Sequence, residues 1–193
     1  MNDPDSLGDG SISIYASEAL PPLVKAQVLS FMRIGWADGY RGNQQWRDEV
    51  WPEGQAKNTS HVVLEERGLV MSHAGIVWKT IHHTGEEFSV GGMTGVFTFP
   101  NFEGQGHGIR AIRAASELIR QSGADLGLTS SSVPAFYERA GWQTMPGTHV
   151  MYGNPASPEP VHEPVLVLFV SEKARSARRR FEGADIYAGE RAW

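Results

Sequence analysis

The sequence contains no cysteine. Disulfides, thiolate catalysis and cysteine-based zinc sites are therefore excluded. No apolar run approaches the roughly 18 residues that a membrane helix needs. Basic charge is not in excess either: 17 Lys and Arg face 22 Asp and Glu, a formal net charge of −5. That balance argues against nucleic acid as the main partner and suits a cationic ligand. The opening MNDPDSLGDGS is acidic and polar, unlike a signal or transit peptide, so a cytoplasmic protein without membrane association is expected. No internal repeat and no second domain are visible. The 193 residues suit one domain over residues 11–193, preceded by a flexible lead-in over residues 1–10.

What remains is ordinary for a soluble globular chain, with 40% hydrophobic and 20% charged residues. SISIYAS alternates and predicts a first strand. Leu23, Val24, Val28, Leu29 and Met32 recur at helical spacing behind Pro21 and Pro22, and Asp38-Gly39 closes that helix. Residues 60–98 carry apolar runs broken by Arg67-Gly68 and Thr84-Gly85, which predicts antiparallel strands near 60–66, 69–83 and 87–98. A helix is predicted over 105–121, with Ile109, Ile112, Ala115, Leu118 and Ile119 on its apolar face. ADLGLTS predicts a buried strand. SSVPAFYERAGW predicts a short helix capped by Ser131 or Ser132 and ending at Gly141. Strands near 142–152 and 164–171 follow, separated by a loop with four prolines, and the tail KARSARRR reads as a solvated connection. The order predicts an α/β arrangement with a mixed sheet.

Between the strand GVFTFP and the helix IRAIRAASELIRQSG stands NFEGQGHGIR, with glycine at 104, 106 and 108. Glycines let backbone N–H groups approach a ligand with no Cβ in the way. A helix N-terminus adds further N–H groups and a positive dipole end, so the pair suits a phosphate or pyrophosphate. The spacing is neither G-x-G-x-x-G nor a Walker pattern, which disfavours NAD and a P-loop. A plain strand-to-helix turn is the other reading of these glycines.

EGQGHG after this strand resembles the acetyl-CoA pyrophosphate loop of the GNAT acyltransferases, which usually reads Gln/Arg-x-x-Gly-x-Gly/Ala. Gly106 and Gly108 fit, whereas Glu103 departs from the usual first residue. SSSVPAFYERAGW resembles the same family's short helix, whose tyrosine precedes a Gly-aromatic pair. The resemblance implies a GNAT fold, with a mixed and mostly antiparallel sheet flanked by helices, and acetyl-CoA as cosubstrate. Gly104, Gln105, Gly106, His107, Gly108 and Ile109 would bind the pyrophosphate. Arg110 and Arg113 would reach CoA phosphates or line a solvated helix face. Val96, Phe97 and Thr98 would flank the pantetheine arm, with the Phe97 N–H as oxyanion donor. Tyr137 would be the general acid, or else a core tyrosine. Ser131 would bond cofactor or substrate, or cap the helix. A homodimer is a family-level expectation.

Within that family, LGLTSSSVPAFYERAGWQTMPG, GWADGYRGNQQW and the ending ADIYAGERAW are similar to segments of the aminoglycoside 2'-N-acetyltransferases. The likeness implies acetylation of an aminoglycoside amine and antibiotic resistance. It also implies substrate contacts at Asp38, Asp185, Glu190 and Trp193. Thr94 stands where those enzymes carry an acidic residue, and Gln45 where a second acid is expected. A threonine hydroxyl cannot take the amine's proton as a base at neutral pH. Thr94 orients a water, or another group is the base, or the amine arrives neutral. A pocket with fewer acids suits a smaller aminoglycoside such as kasugamycin. Two alternatives stand beside this: a GNAT enzyme acting on a polyamine or amino sugar, and a CoA-binding module without catalysis.

Overall fold

Two dipeptides organise the middle of the chain. Arg67 and Gly68 have φ of 50° and 79°, and Thr84 and Gly85 have 47° and 81°. Two central residues in the left-handed region make a type I′ turn, whose twist matches that of the strands it joins. Strands β2 (Thr59–Glu66), β3 (Leu69–His83) and β4 (Glu86–Thr98) follow one another through these turns, almost at the predicted bounds. The computed structural model describes residues 10–35 and 58–190. It divides into two compact units, residues 1–75 with 95–111 and residues 76–94 with 112–193. β3, β4 and helix α2 (His107–Gln121) each give part of their length to both units.

In the first unit the strand order is β1-β2-β3-β4. β1 (Ser11–Ala16) pairs antiparallel with β2 from Ser11↔Glu65 to Ala16↔Ser60. Its alternation predicts the strand, but Ile12 and Ile14 lie on the open side of this edge, 39% and 52% exposed. Helix α1 (Pro22–Gly35) starts on its proline, which needs no N–H partner at that position. Its residues Val24, Val28 and Met32, four apart, are buried with Leu20, Val63, Val70 and Phe97. Leu23, placed on the apolar face by the sequence pattern, is exposed instead, because it sits one position off that spacing.

In the second unit the order is β3-β4-β5-β9-β6. β5 (Leu126–Ser130) runs parallel to β4, and β9 (Val165–Phe169) runs antiparallel to β5, so the sheet is mixed. A parallel neighbour needs a crossover connection, and α2 supplies it. Ile112, Ala115, Ser116 and Ile119 of α2 are fully buried. A Cβ on Gly91 would stand 2.8 Å from Ile119, and one on Gly127 would stand 2.7 Å from Trp142. Bare backbone at these two points lets the helix and the indole lie directly on the strands.

The C-terminal part is more structured than predicted. The strand expected over 142–152 is two short ones, β6 (Gln143–Thr144) and β7 (Val150–Tyr152), broken by a turn at Pro146-Gly147. The proline-rich stretch carries β8 (Glu159–Pro160), which pairs with β7 at the edge of a three-stranded sheet of order β10-β7-β8. An edge tolerates proline because the missing N–H faces away from the ladder. The tail forms α4 (Glu172–Ala177), capped by Ser171, whose Oγ accepts the Ala174 N–H. Ala174, Ala177 and Phe181 are buried in the core, so this basic segment is not a solvated connection. β10 (Ile186–Tyr187) follows. His82 is exposed, whereas His83 is buried and bonded to Arg180 O at 2.8 Å, as strand alternation requires. Among the described residues no helix is long and apolar enough to cross a membrane.

Candidate active site

In the first unit, β4 runs into a 3-10 turn at Pro100–Phe102, and Glu103–Gly106 lead to α2. Gly104 and Gly106 have φ of 73° and 84°, and nothing lies within 4 Å of where a Cβ would stand on either. The conformation demands glycine, and the space beside it is open. The Arg110 N–H donates to Gly106 O at 3.2 Å, which opens the helix. The N–H groups of His107, Gly108 and Ile109 therefore lie in the first turn and have no acceptor within the helix. His107 is buried, 4% exposed, and its Nδ1 has no hydrogen-bond partner, while Nε2 lies 3.3 Å from Gln105 Oε1. Arg110 donates to Gly10 O at 3.0 Å, and Arg113 is exposed on the helix.

Val96–Thr98 follow Gly95, whose φ of 54° marks a left-handed residue inside the strand. The Phe97 ring stacks on Phe31 with centroids 4.0 Å apart. Ser72 Oγ donates to Phe97 O at 2.7 Å and lies 3.1 Å from Thr98 Oγ1. With its own proton given to Phe97 O, Ser72 can only accept from Thr98. Ring and carbonyl together fix this part of the strand.

In the second unit, the registered β4–β5 pairs run from Val90↔Leu126 to Gly92↔Leu128. Beyond them Thr129 Oγ1 donates to Met93 O at 2.9 Å, so a side chain takes over where the pairs end. Thr94 is the next residue and is half-buried. Past β5, the Ser131 N–H donates to Pro164 O at 3.0 Å, and Ser131 Oγ accepts the Val133 N–H at 3.2 Å. Val133, with no side-chain cap, precedes helix α3 (Pro134–Glu138), so neither Ser131 nor Ser132 is its N-cap. Ser131 instead acts electrostatically on the Tyr137 phenol. Tyr137 is 6% exposed. Burial pushes its pKa up to about 12, with Ser131 pulling the other way. The phenol stays protonated throughout the neutral range. Trp142 meets the Tyr137 ring edge-on at 6.0 Å and donates from Nε1 to Ser116 Oγ at 2.8 Å.

Asp185 and Glu190 are exposed, and Asp185 Oδ1 lies 3.1 Å from His149 Nδ1. Asp38, Gln45 and Trp193 lie outside the described residues. The sequence carries no signal that marks Thr129 or Ser72. A hydroxyl that ends a strand pairing or braces a carbonyl has no motif of its own.

A family model described as an acetyltransferase (GNAT) domain matches residues 26–145, well over half of the chain. The chain belongs to the GNAT acetyltransferase family, and it is an acetyl-CoA-dependent N-acetyltransferase. The fold is similar to that of YhbS from Escherichia coli, a GNAT family N-acetyltransferase solved with CoA. The identity is 15%, with 97% of this chain and 94% of that one covered and a TM-score of 0.64. An aminoglycoside 6'-N-acetyltransferase complexed with coenzyme A is similar at 11% identity, 83% and 97% coverage and a TM-score of 0.60. A probable N-acyltransferase from Enterococcus faecalis is similar at 11% identity and a TM-score of 0.57. The alignment covers 70% of this chain, which spans only 33% of that longer protein. No curated protein matches the sequence. The open space at Gly104 and Gly106 and the unpartnered buried His107 Nδ1 suit the phosphates of the family's cosubstrate.

Proposed function

We propose that the protein transfers acetyl from acetyl-CoA to an amine of an aminoglycoside, at a 2'-amine of a small member such as kasugamycin, and so inactivates an antibiotic. The observation that carries this reading is the segment LGLTSSSVPAFYERAGW, similar to the aminoglycoside 2'-N-acetyltransferases, folded as a strand and a short helix with Tyr137 buried. The aminoglycoside 6'-N-acetyltransferase among the similar structures supports the substrate class through fold alone.

The backbone N–H groups of Gly104–Ile109 hold the pyrophosphate, and the positive end of α2 favours its charge. Val96, Phe97 and Thr98 flank the pantetheine arm. The Phe97 N–H faces the oxygen on which charge develops during transfer, where a prepositioned donor is most effective. Tyr137, neutral until far above pH 7, gives a proton to the departing thiolate, and Ser131 orients its hydroxyl. Thr94 positions a water that takes the amine's proton. Asp38, Asp185, Glu190 and Trp193 receive the ammonium groups of the substrate. The protein acts in the cytoplasm as one domain over residues 11–193, as a homodimer.

A second reading, a GNAT enzyme for a polyamine or amino sugar, is favoured by two observations. Thr94 is not an acid, and Asp185 already has His149 beside it. Thiol release from acetyl-CoA with kasugamycin, kanamycin-type and gentamicin-type aminoglycosides and spermidine separates the two, with product masses measured. Turnover on kasugamycin supports the first reading. Turnover on spermidine alone supports the second. Silence on every amine despite CoA binding leaves a binding module and overturns both.

A further inference from the structure

The first unit contains a chain of buried side chains that the proposed chemistry does not use. Ser17 Oγ lies 2.8 Å from His61 Nε2, His61 Nδ1 lies 3.0 Å from His73 Nε2, and His73 Nδ1 lies 2.7 Å from Gly95 O. The three side chains are 7%, 2% and 1% exposed. The last contact fixes the direction of all the others. A carbonyl oxygen only accepts, so His73 Nδ1 carries the proton. Burial holds both imidazoles neutral, so His73 Nε2 is an acceptor and His61 Nδ1 must donate to it. His61 Nε2 is then an acceptor in turn, and the Ser17 hydroxyl donates to it. The result is a one-way relay, Ser17 to His61 to His73 to Gly95 O, with a single tautomer at each ring.

The relay ends on the residue where β4 departs from strand geometry. Gly95 is left-handed, and a Cβ there would stand 2.5 Å from Met32 Cε. The next three residues are Val96, Phe97 and Thr98, and the His73 ring stacks on Phe97 with centroids 5.3 Å apart. A peptide carbonyl pinned by a buried imidazole fixes the plane of the following peptide, and with it the direction of the Val96 N–H and the start of the acetyl-CoA strand.

The geometry points to His73, backed by His61 and Ser17, as a positioning residue that sets the Gly95 kink and so aims the backbone donors of Val96–Thr98 at the acetyl thioester. This rests on the proposed role of Val96–Thr98.

Two measurements test it. In nitrogen-15 spectra of the whole protein at pH 7, both rings are expected with Nδ1 protonated and Nε2 bare, the minor tautomer of free histidine. An Nε2–H tautomer or an imidazolium at either ring overturns the relay, whatever the variants do. The second measurement compares the affinities for CoA and acetyl-CoA. His73→Phe keeps a flat ring on Phe97 and removes the donor to Gly95 O. His73→Asn keeps a donor at the position of Nδ1. The Phe variant is expected to bind CoA within about threefold of wild type, to lose the preference for acetyl-CoA, and to transfer acetyl about a hundredfold more slowly, the scale of a displaced reacting geometry. The Asn variant is expected to recover most of both. A Phe variant with the wild-type preference and rate overturns the positioning role while leaving the acetyl-CoA strand in place. A wild-type protein that binds CoA with no preference for acetyl-CoA overturns the role of Val96–Thr98 and the inference with it.

Discussion

Acid should unfold this protein well before its carboxylates are neutralised, because two buried histidines oppose protonation. Burial is the main cause at both. His61 is lowered to about 3, with His73 and Lys25 pushing it further down, and His73 is lowered to about 4 against the opposing bond to Gly95 O. In the unfolded chain both return to about 6.5. Between pH 6.5 and 4 the unfolded state therefore binds more protons than the folded state, and stability falls as pH falls. The contribution is complete above pH 6.5. From pH 8 to pH 5 each histidine costs about 2 kcal/mol, so the pair costs about 4 kcal/mol, a large fraction of ordinary domain stability. Urea unfolding followed by tryptophan fluorescence at pH 8, 6.5 and 5 measures this. The double variant His61→Leu with His73→Phe is the control, because other groups titrate in the same range. Wild type should lose about 4 kcal/mol more than the double variant over that interval. An equal loss in both proteins would refute the buried, neutral state of the pair.

Three further outcomes are expected. Tyr137→Phe should lower acetyl transfer about a hundredfold while CoA affinity stays within about threefold, and the wild-type rate should show no alkaline loss near pH 10, where an ordinary tyrosine ionises; calorimetry with CoA and a pH–rate profile read both. Gly106→Ala places a Cβ at φ 84°, which costs about 1–2 kcal/mol of backbone strain, and it should weaken CoA binding about tenfold by calorimetry. Trp142→Phe leaves the Ser116 hydroxyl without its buried donor and opens space over Gly127, so thermal unfolding should report a loss of about 1–3 kcal/mol.

The middle of the chain was legible because its signals are local. Arg67-Gly68 and Thr84-Gly85 are short-range turn codes, and the strands they join lie within a residue of the predicted bounds at most ends. The glycine loop and α2 were legible for the same reason, as was the buried tyrosine of α3. The C-terminal part was not. Glu159–Pro160 is a strand only because β7 offers an edge, and Ala174 and Ala177 of α4 are buried only because the segment packs with Phe181 onto the core. The relay was invisible in the sequence. His61 and His73 lie 12 residues apart on different strands, and only the folding of Ser17, 44 residues before His61 and just past the end of β1, against His61 makes them one chain. Arg110 read equally as a phosphate ligand or a solvated side chain, and its bond to Gly10 O gives it a third role.

The most direct test of the account is the steady-state rate of thiol release from acetyl-CoA with kasugamycin, with the product's mass and acetylation site determined. The account predicts saturable turnover, a product carrying one added acetyl group on the 2'-amine, and loss of that turnover in Tyr137→Phe. CoA binding without any acetylated kasugamycin would contradict it.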